Sequence, residues 1–370
     1  MTEISSEIKR IKGYIEEYND ILIFYSLKNN SFSSFLTLAL LFSLDNLNKN
    51  ASILNQSFAK DCLPLNIEGL LKDKQRPSLK TNFVISIKKR DNFKISSISY
   101  EKTDETLNIF LAGSGNLNKE HISLKSAEKE TLLMTLNTQS LNEISSLPNR
   151  TFLVLNIDNS KENENFGQVN LIDNDSLVSE NIFEIINLLK KNETDKLPAL
   201  PLLLAFLQEV FSFKSIPLKT KTLEQINFLK EMLISEEKEI LEKWLCSIEN
   251  KEERFFYFSL LEAFTKNNEN FLFAFSKNDF EKIGASYTEI PFMLKRFSPS
   301  LQASKELLVL WEQNSSPLAV RGILHSKKAS KKEAISKNFE SKEKNNWLLF
   351  KTSFKDIKTA QEKINEIINN

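Results

Sequence analysis

Hydrophobic and polar positions change their period several times along this chain, and each change marks an element. Ile4, Ile8, Ile11, Ile15 and Tyr18 recur at steps of four and three, which places them on one face of an opening helix. Ile21 to Tyr25 is a continuous apolar run of strand length, the pattern of a parallel sheet covered on both sides. An apolar helix from about Phe35 to Leu47 and a short strand from Ala51 to Leu54 complete a βαβ unit. From Thr81 to Leu111 apolar and polar residues mostly alternate, which predicts antiparallel strands inserted between two halves of an α/β domain. The turn-like AGSGN segment holding Gly113 and Gly115 reads as a hairpin turn. Strand-type runs return at Leu132–Leu136 and Phe152–Ile157. A helix from Ser179 to Lys190 follows, with Ile182, Ile185, Ile186 and Leu189 on its apolar face, and then a solvated turn at 191–197.

Helical patterns fill most of 198–266. The last third mixes strands at Phe271–Phe275, Glu306–Trp311 and Leu318–Leu324 with a closing helix from about Asp356 to Ile368. The fold class expected is α/β. A first domain over 1–215 holds a mostly parallel sheet and an antiparallel insertion at about 80–125. A helical linker spans 216–250, and a smaller α/β domain spans 251–370. No internal repeat is visible.

Composition narrows the functions open to such a chain. Its 370 residues suffice for two cores. The 49 basic and 49 acidic side chains cancel, which argues against general nucleic-acid binding. Two cysteines, Cys62 and Cys246, are too few for a disulfide framework or a structural zinc site. With histidine only at His121 and His325, no histidine-rich metal centre can be built. The N-terminus has no apolar signal-peptide core, and the longest apolar runs fall short of the roughly 20 residues that span a bilayer. A cytoplasmic protein with free cysteines and no membrane segment is expected.

The order of short motifs adds a family resemblance. NIDNSKENENFGQVNLIDNDSLVSENIFEII, Asn156 to Ile186, resembles the third motif of the DHH phosphoesterases, with Asn163, Phe166, Gly167, Asn170 and Asp173 at the expected offsets. ILIFYSLKNNSFSSFLTLAL is similar to the family's first motif, TLLMTLNTQS to its second and EVFSFK to its fourth. RGILHSKK with KNFESKEKNNWLLF is similar to the associated C-terminal domain. The resemblance spans nearly the whole chain and is closest to the branch of nanoRNases and 3'-phosphoadenosine 5'-phosphate phosphatases.

That resemblance implies phosphoester hydrolysis by two divalent metals, usually manganese, which activate a water and clamp the phosphate oxygens. Most of the residues it requires are replaced. The first-motif histidine is Ser26, and its two aspartates are Asn30 and Phe32. The second-motif aspartate is Asn137, and the third-motif histidines are Asn159 and Ser160. Asp158 remains as the one metal-ligand candidate, and the fourth aspartate is the longer Glu209. In the C-terminal domain the phosphate-binding glycines are Glu340, Ser341, Lys342 and Glu343, the histidine is Lys344, and an arginine is His325. Losing even one outer-shell partner typically costs about 10–100-fold in metal affinity or activity.

The expectation is therefore a catalytically degenerate homologue with no bound metal, acting by interaction or regulation. Its candidate partners are an active paralogue, a second copy, a nucleotide or a short RNA. His325, Lys327, Lys328 and Lys344 are the anion-contact candidates, in a Ser326–Lys344 segment with seven lysines against three glutamates. The enzyme alternative is a weak metal-dependent phosphodiesterase or phosphatase that acts on short RNA or phosphorylated nucleotides with Asp158, Glu209 and one metal.

Overall fold

A computed structural model describes residues 3–26, 32–54, 82–87, 94–115, 118–127, 130–144, 147, 151–190, 197–212, 218–266, 270–298, 306–313 and 319–369. Asn30, Cys62 and the expected turn at 191–196 lie outside them. The chain divides into two compact units: 1–77 with 132–145 and 153–370, and 78–131 with 146–152.

In the first unit, helix α1 (Glu3–Glu17) buries Ile8, Ile11 and Ile15. Strands β1 (Asp20–Tyr25) and β2 (Asn50–Ile53) pair in parallel around helix α2 (Phe32–Asn46). Helix α2 begins at Phe32, three residues earlier than its apolar run suggested. It is apolar on nearly every side because it is covered on nearly every side. Its buried hydroxyls are answered internally: Thr37 donates to the Ser33 carbonyl at 2.8 Å and Ser43 to that of Ala39 at 2.9 Å.

Strand β7 (Thr131–Leu136) pairs in parallel with β1, and β8 (Phe152–Asp158) with β9 (Val169–Ile172), giving a five-stranded sheet of order β2-β1-β7-β8-β9. Helices α3 (Val178–Leu189) and α4 (Ala199–Ser212) follow, then α5 (Thr220–Met232), α6 (Ser235–Ser247) and α7 (Lys251–Leu261).

A second, six-stranded sheet has the order β10-β11-β12-β13-β15-β14. Its strands are β10 (Phe264–Lys266), β11 (Asn270–Phe275), β12 (Glu306–Gln313), β13 (Ala319–His325), β14 (Glu340–Lys344) and β15 (Trp347–Lys351). Only β11 and β12 run parallel in it. Alternation sorts its side chains to two cores. Phe271, Phe273, Phe275, Leu307, Val309 and Trp311 join the core shared with the first sheet. Leu272, Leu308 and Leu310 face a smaller cluster under helices α10 (Ala329–Asn338) and α11 (Ile357–Asn369). Two short helices, α8 (Lys277–Lys282) and α9 (Ile290–Phe297), lie between β11 and β12.

The inserted unit holds two antiparallel pairs: β3 (Asn82–Ile87) with β6 (Ile122–Ala127), and β4 (Lys94–Lys102) with β5 (Leu107–Ser114). The AGSGN segment does not turn at Gly113 as its sequence predicts. Gly113 lies inside β5 beside a bulge in β4, and a Cβ there would sit 2.1 Å from the Lys94 carbonyl oxygen. Gly115, at φ 103°, follows the strand end.

Candidate functional site

The chain leaves β1 toward β2 on one side and later fills β7, β8 and β9 on the other. Such a reversal opens a crevice at the carboxyl ends of the strands, where α/β sheets bind ligands. The residues there are polar: Ser26 after β1, Asn137 and Thr138 after β7, and Asp158, Asn159 and Ser160 at the end of β8.

All of them except Asn137 are joined in one hydrogen-bonded network, Thr138 through its backbone carbonyl. Ser26 Oγ donates to Glu143 Oε2 at 2.5 Å, and the Gln139 N–H donates to Glu143 Oε1 at 2.9 Å. Gln139 Nε2 donates to Ser160 Oγ at 2.9 Å. Asp158 accepts from the Asn159 and Ser160 N–H groups at 2.8 and 3.3 Å, and from Asn163 Nδ2 at 2.7 Å. Asn163 also donates to the Thr138 carbonyl and accepts from Asn156, which accepts from Thr135. Asn137 turns away, donating to Ser33 Oγ at 2.8 Å. Its backbone is left-handed, φ 51°, a conformation asparagine tolerates better than most residues. Phe32 is buried in the core at the start of α2.

Glu209 reaches the network from α4. Its Oε1 accepts from the Val178 N–H at 2.7 Å and from Asn159 Nδ2 at 3.4 Å, and its Oε2 from the Ser179 N–H at 2.8 Å. The residue preceding α3, Leu177, offers no side-chain cap, so Glu209 answers the free N–H groups of that helix. Burial pushes the Glu209 carboxyl up to about 7, against the hydrogen bonds that pull it down. Asp158 is likewise raised, first by burial and also by the nearby Glu143 charge.

Two dications need several converging carboxylates and imidazoles with lone pairs to spare. Here Asn137, Asn159 and Ser160 bring no charge, and Glu209 is spent on a helix terminus. Among the described residues no three His, Cys, Asp or Glu side chains converge as a metal would require. The described residues do not fit a manganese pair.

The anion candidates form a separate group on the second sheet. His325 ends β13 opposite Trp347, the two rings 4.7 Å apart and tilted by 57°. Lys327, Lys328 and Lys344 are exposed. Lys331 and Lys332 are held in ion pairs at 2.5 Å, to Glu306 and Glu343. Only Ala329–Asn338 of the lysine segment is helical. Glu340–Lys344 is an edge strand turned into β15 by Asn345 and Asn346, both at positive φ.

Glu143, Gln139 and Ser33 were missed in the sequence. The only hint of Glu143 was an acid six residues past the second-motif position. Scaffold positions of the third motif are explained locally: a Cβ on Gly167 would lie 2.7 Å from the Val169 carbonyl, and Gly167 exchanges two hydrogen bonds with the Asn170 side chain.

No protein-family model matches the chain, and no curated protein sequence does. Among solved structures it is similar to an exopolyphosphatase-related protein from Bacteroides fragilis, with 11% identity and a TM-score of 0.44. The match covers 100% of this chain and 98% of that one. At that level of similarity it bears on no residue of the site. Among the described residues no helix is long and apolar enough to cross a membrane.

Proposed function

We propose that this chain is a non-catalytic relative of the DHH phosphoesterases, nearest their nanoRNase branch, that works by association rather than hydrolysis. The observation that carries this is the employment of Glu209, whose two oxygens accept the first N–H groups of α3. The three hydrogen bonds on Asp158 support it further. A carboxylate held so by its own protein has little left to offer a cation.

The partner proposed is a second copy, met through the inserted hairpin. On one face of β4 and β5, Ile98 pairs with Leu111, Tyr100 with Ile109 and Lys102 with Leu107. Ile98, Tyr100 and Leu107 are 66%, 76% and 61% exposed. A lone two-stranded ribbon is marginal in water, and edges left open are usually guarded by charge. Strand β5 has no ionisable side chain, so two copies can pair its edge about a two-fold axis without like charges meeting.

Purified protein with manganese should not turn over short RNA or 3'-phosphoadenosine 5'-phosphate. Light scattering should find a dimer that Ile109→Lys separates into monomers. Hydrolysis abolished by Asp158→Ala would overturn the non-catalytic assignment. A monomer at high concentration would overturn the partner.

A further inference from the structure

In the first unit, α5, α6, α7 and α8 line a half-open pocket of about 170 Å³. None of its lining residues belongs to the network around Asp158. Leu241, Leu245, Phe258, Leu261 and Ile283 form its floor, each of them buried. A space of about 150 Å³ over apolar side chains is large enough for a benzene-sized guest.

The charged lining is more exposed than that floor, so it marks the mouth. Lys230 donates to Glu262 at 2.8 Å and to the Leu261 carbonyl at 2.7 Å, and Lys282 pairs with Glu242 at 2.5 Å. Lys238 also lines the pocket, while both glutamates of the lining are paired with the other two lysines. Three lysines against two glutamates leave one positive charge above an apolar floor.

The geometry points to a binding site for a small amphipathic acid, its ring or short hydrocarbon body on the floor and its carboxylate at Lys238. A neutral or cationic analogue of the same body would share the floor but lose the charge at the mouth. Cys246 lines the same pocket and is exposed, so its thiol reports occupancy.

Three probes with one ring and different head groups test this: phenylacetate, phenylacetamide and phenethylamine. Binding to the full-length protein is read by ligand-detected NMR, and Cys246 protection from a thiol reagent is read in a Cys62→Ser background. Phenylacetate should bind and protect, with phenethylamine at least tenfold weaker. Lys238→Glu, an exposed substitution, should reverse that order while phenylacetamide stays unchanged. Equal binding of all three, or no binding by folded unsubstituted protein, would overturn the proposal.

Discussion

Glu209 accepts the Val178 N–H at 2.7 Å, so a carboxylate from α4 caps α3 in place of any residue of the local chain. The bond is fully buried, and removing the acceptor leaves the Val178 and Ser179 donors without it. Each such loss costs about 1–3 kcal/mol. Glu209→Ala should therefore destabilise the protein by roughly 3 kcal/mol in urea unfolding, and a loss below about 0.5 kcal/mol would contradict the capping role.

The same group makes stability depend on pH. Its carboxyl titrates near 7 when folded, against an ordinary 4.5. Because the folded value is the higher, the folded state binds the proton more tightly. That stabilisation is complete below about pH 4.5 and is lost as pH rises through about 7, a span worth roughly 3 kcal/mol. Thermal midpoints should fall from pH 5 to pH 8, and Glu209→Gln should flatten that part of the curve. A curve unchanged by the substitution would assign the slope to other groups.

Hydrophobic period was enough to read β1, β7, β8 and α3, because each buries a continuous run or a clear stripe. It could not place β14, whose sequence ESKEK has no apolar face. That strand exists because β15 carries Leu348 and Phe350 inward and two asparagines adopt the turn. Nor could spacing reveal Glu143, since its partner Ser26 lies 117 residues away. The motif resemblance found Asp158 and Glu209 but not their employment, which depends on a helix terminus brought in from elsewhere in the fold.

Two glycines separate packing from conformation. In β13, Gly322 lies opposite Phe350, and an added Cβ would stand 2.2 Å from the ring. Phe350 is 2% exposed and has no room to withdraw, so Gly322→Ala should cost about 1–3 kcal/mol. Gly13 has nothing within 4 Å of its would-be Cβ and sits inside α1. Gly13→Ala should instead stabilise by about 0.5–1 kcal/mol. Opposite signs in parallel melts check the pair.

Manganese titration followed by electron paramagnetic resonance tests the proposed lack of a dinuclear centre most directly. With the carboxylates engaged as described, free-ion signal should rise in proportion to added metal, with no saturable uptake at micromolar concentrations and no change in Asp158→Ala. Two manganese ions taken up per chain, and lost together in Asp158→Ala, would contradict the account.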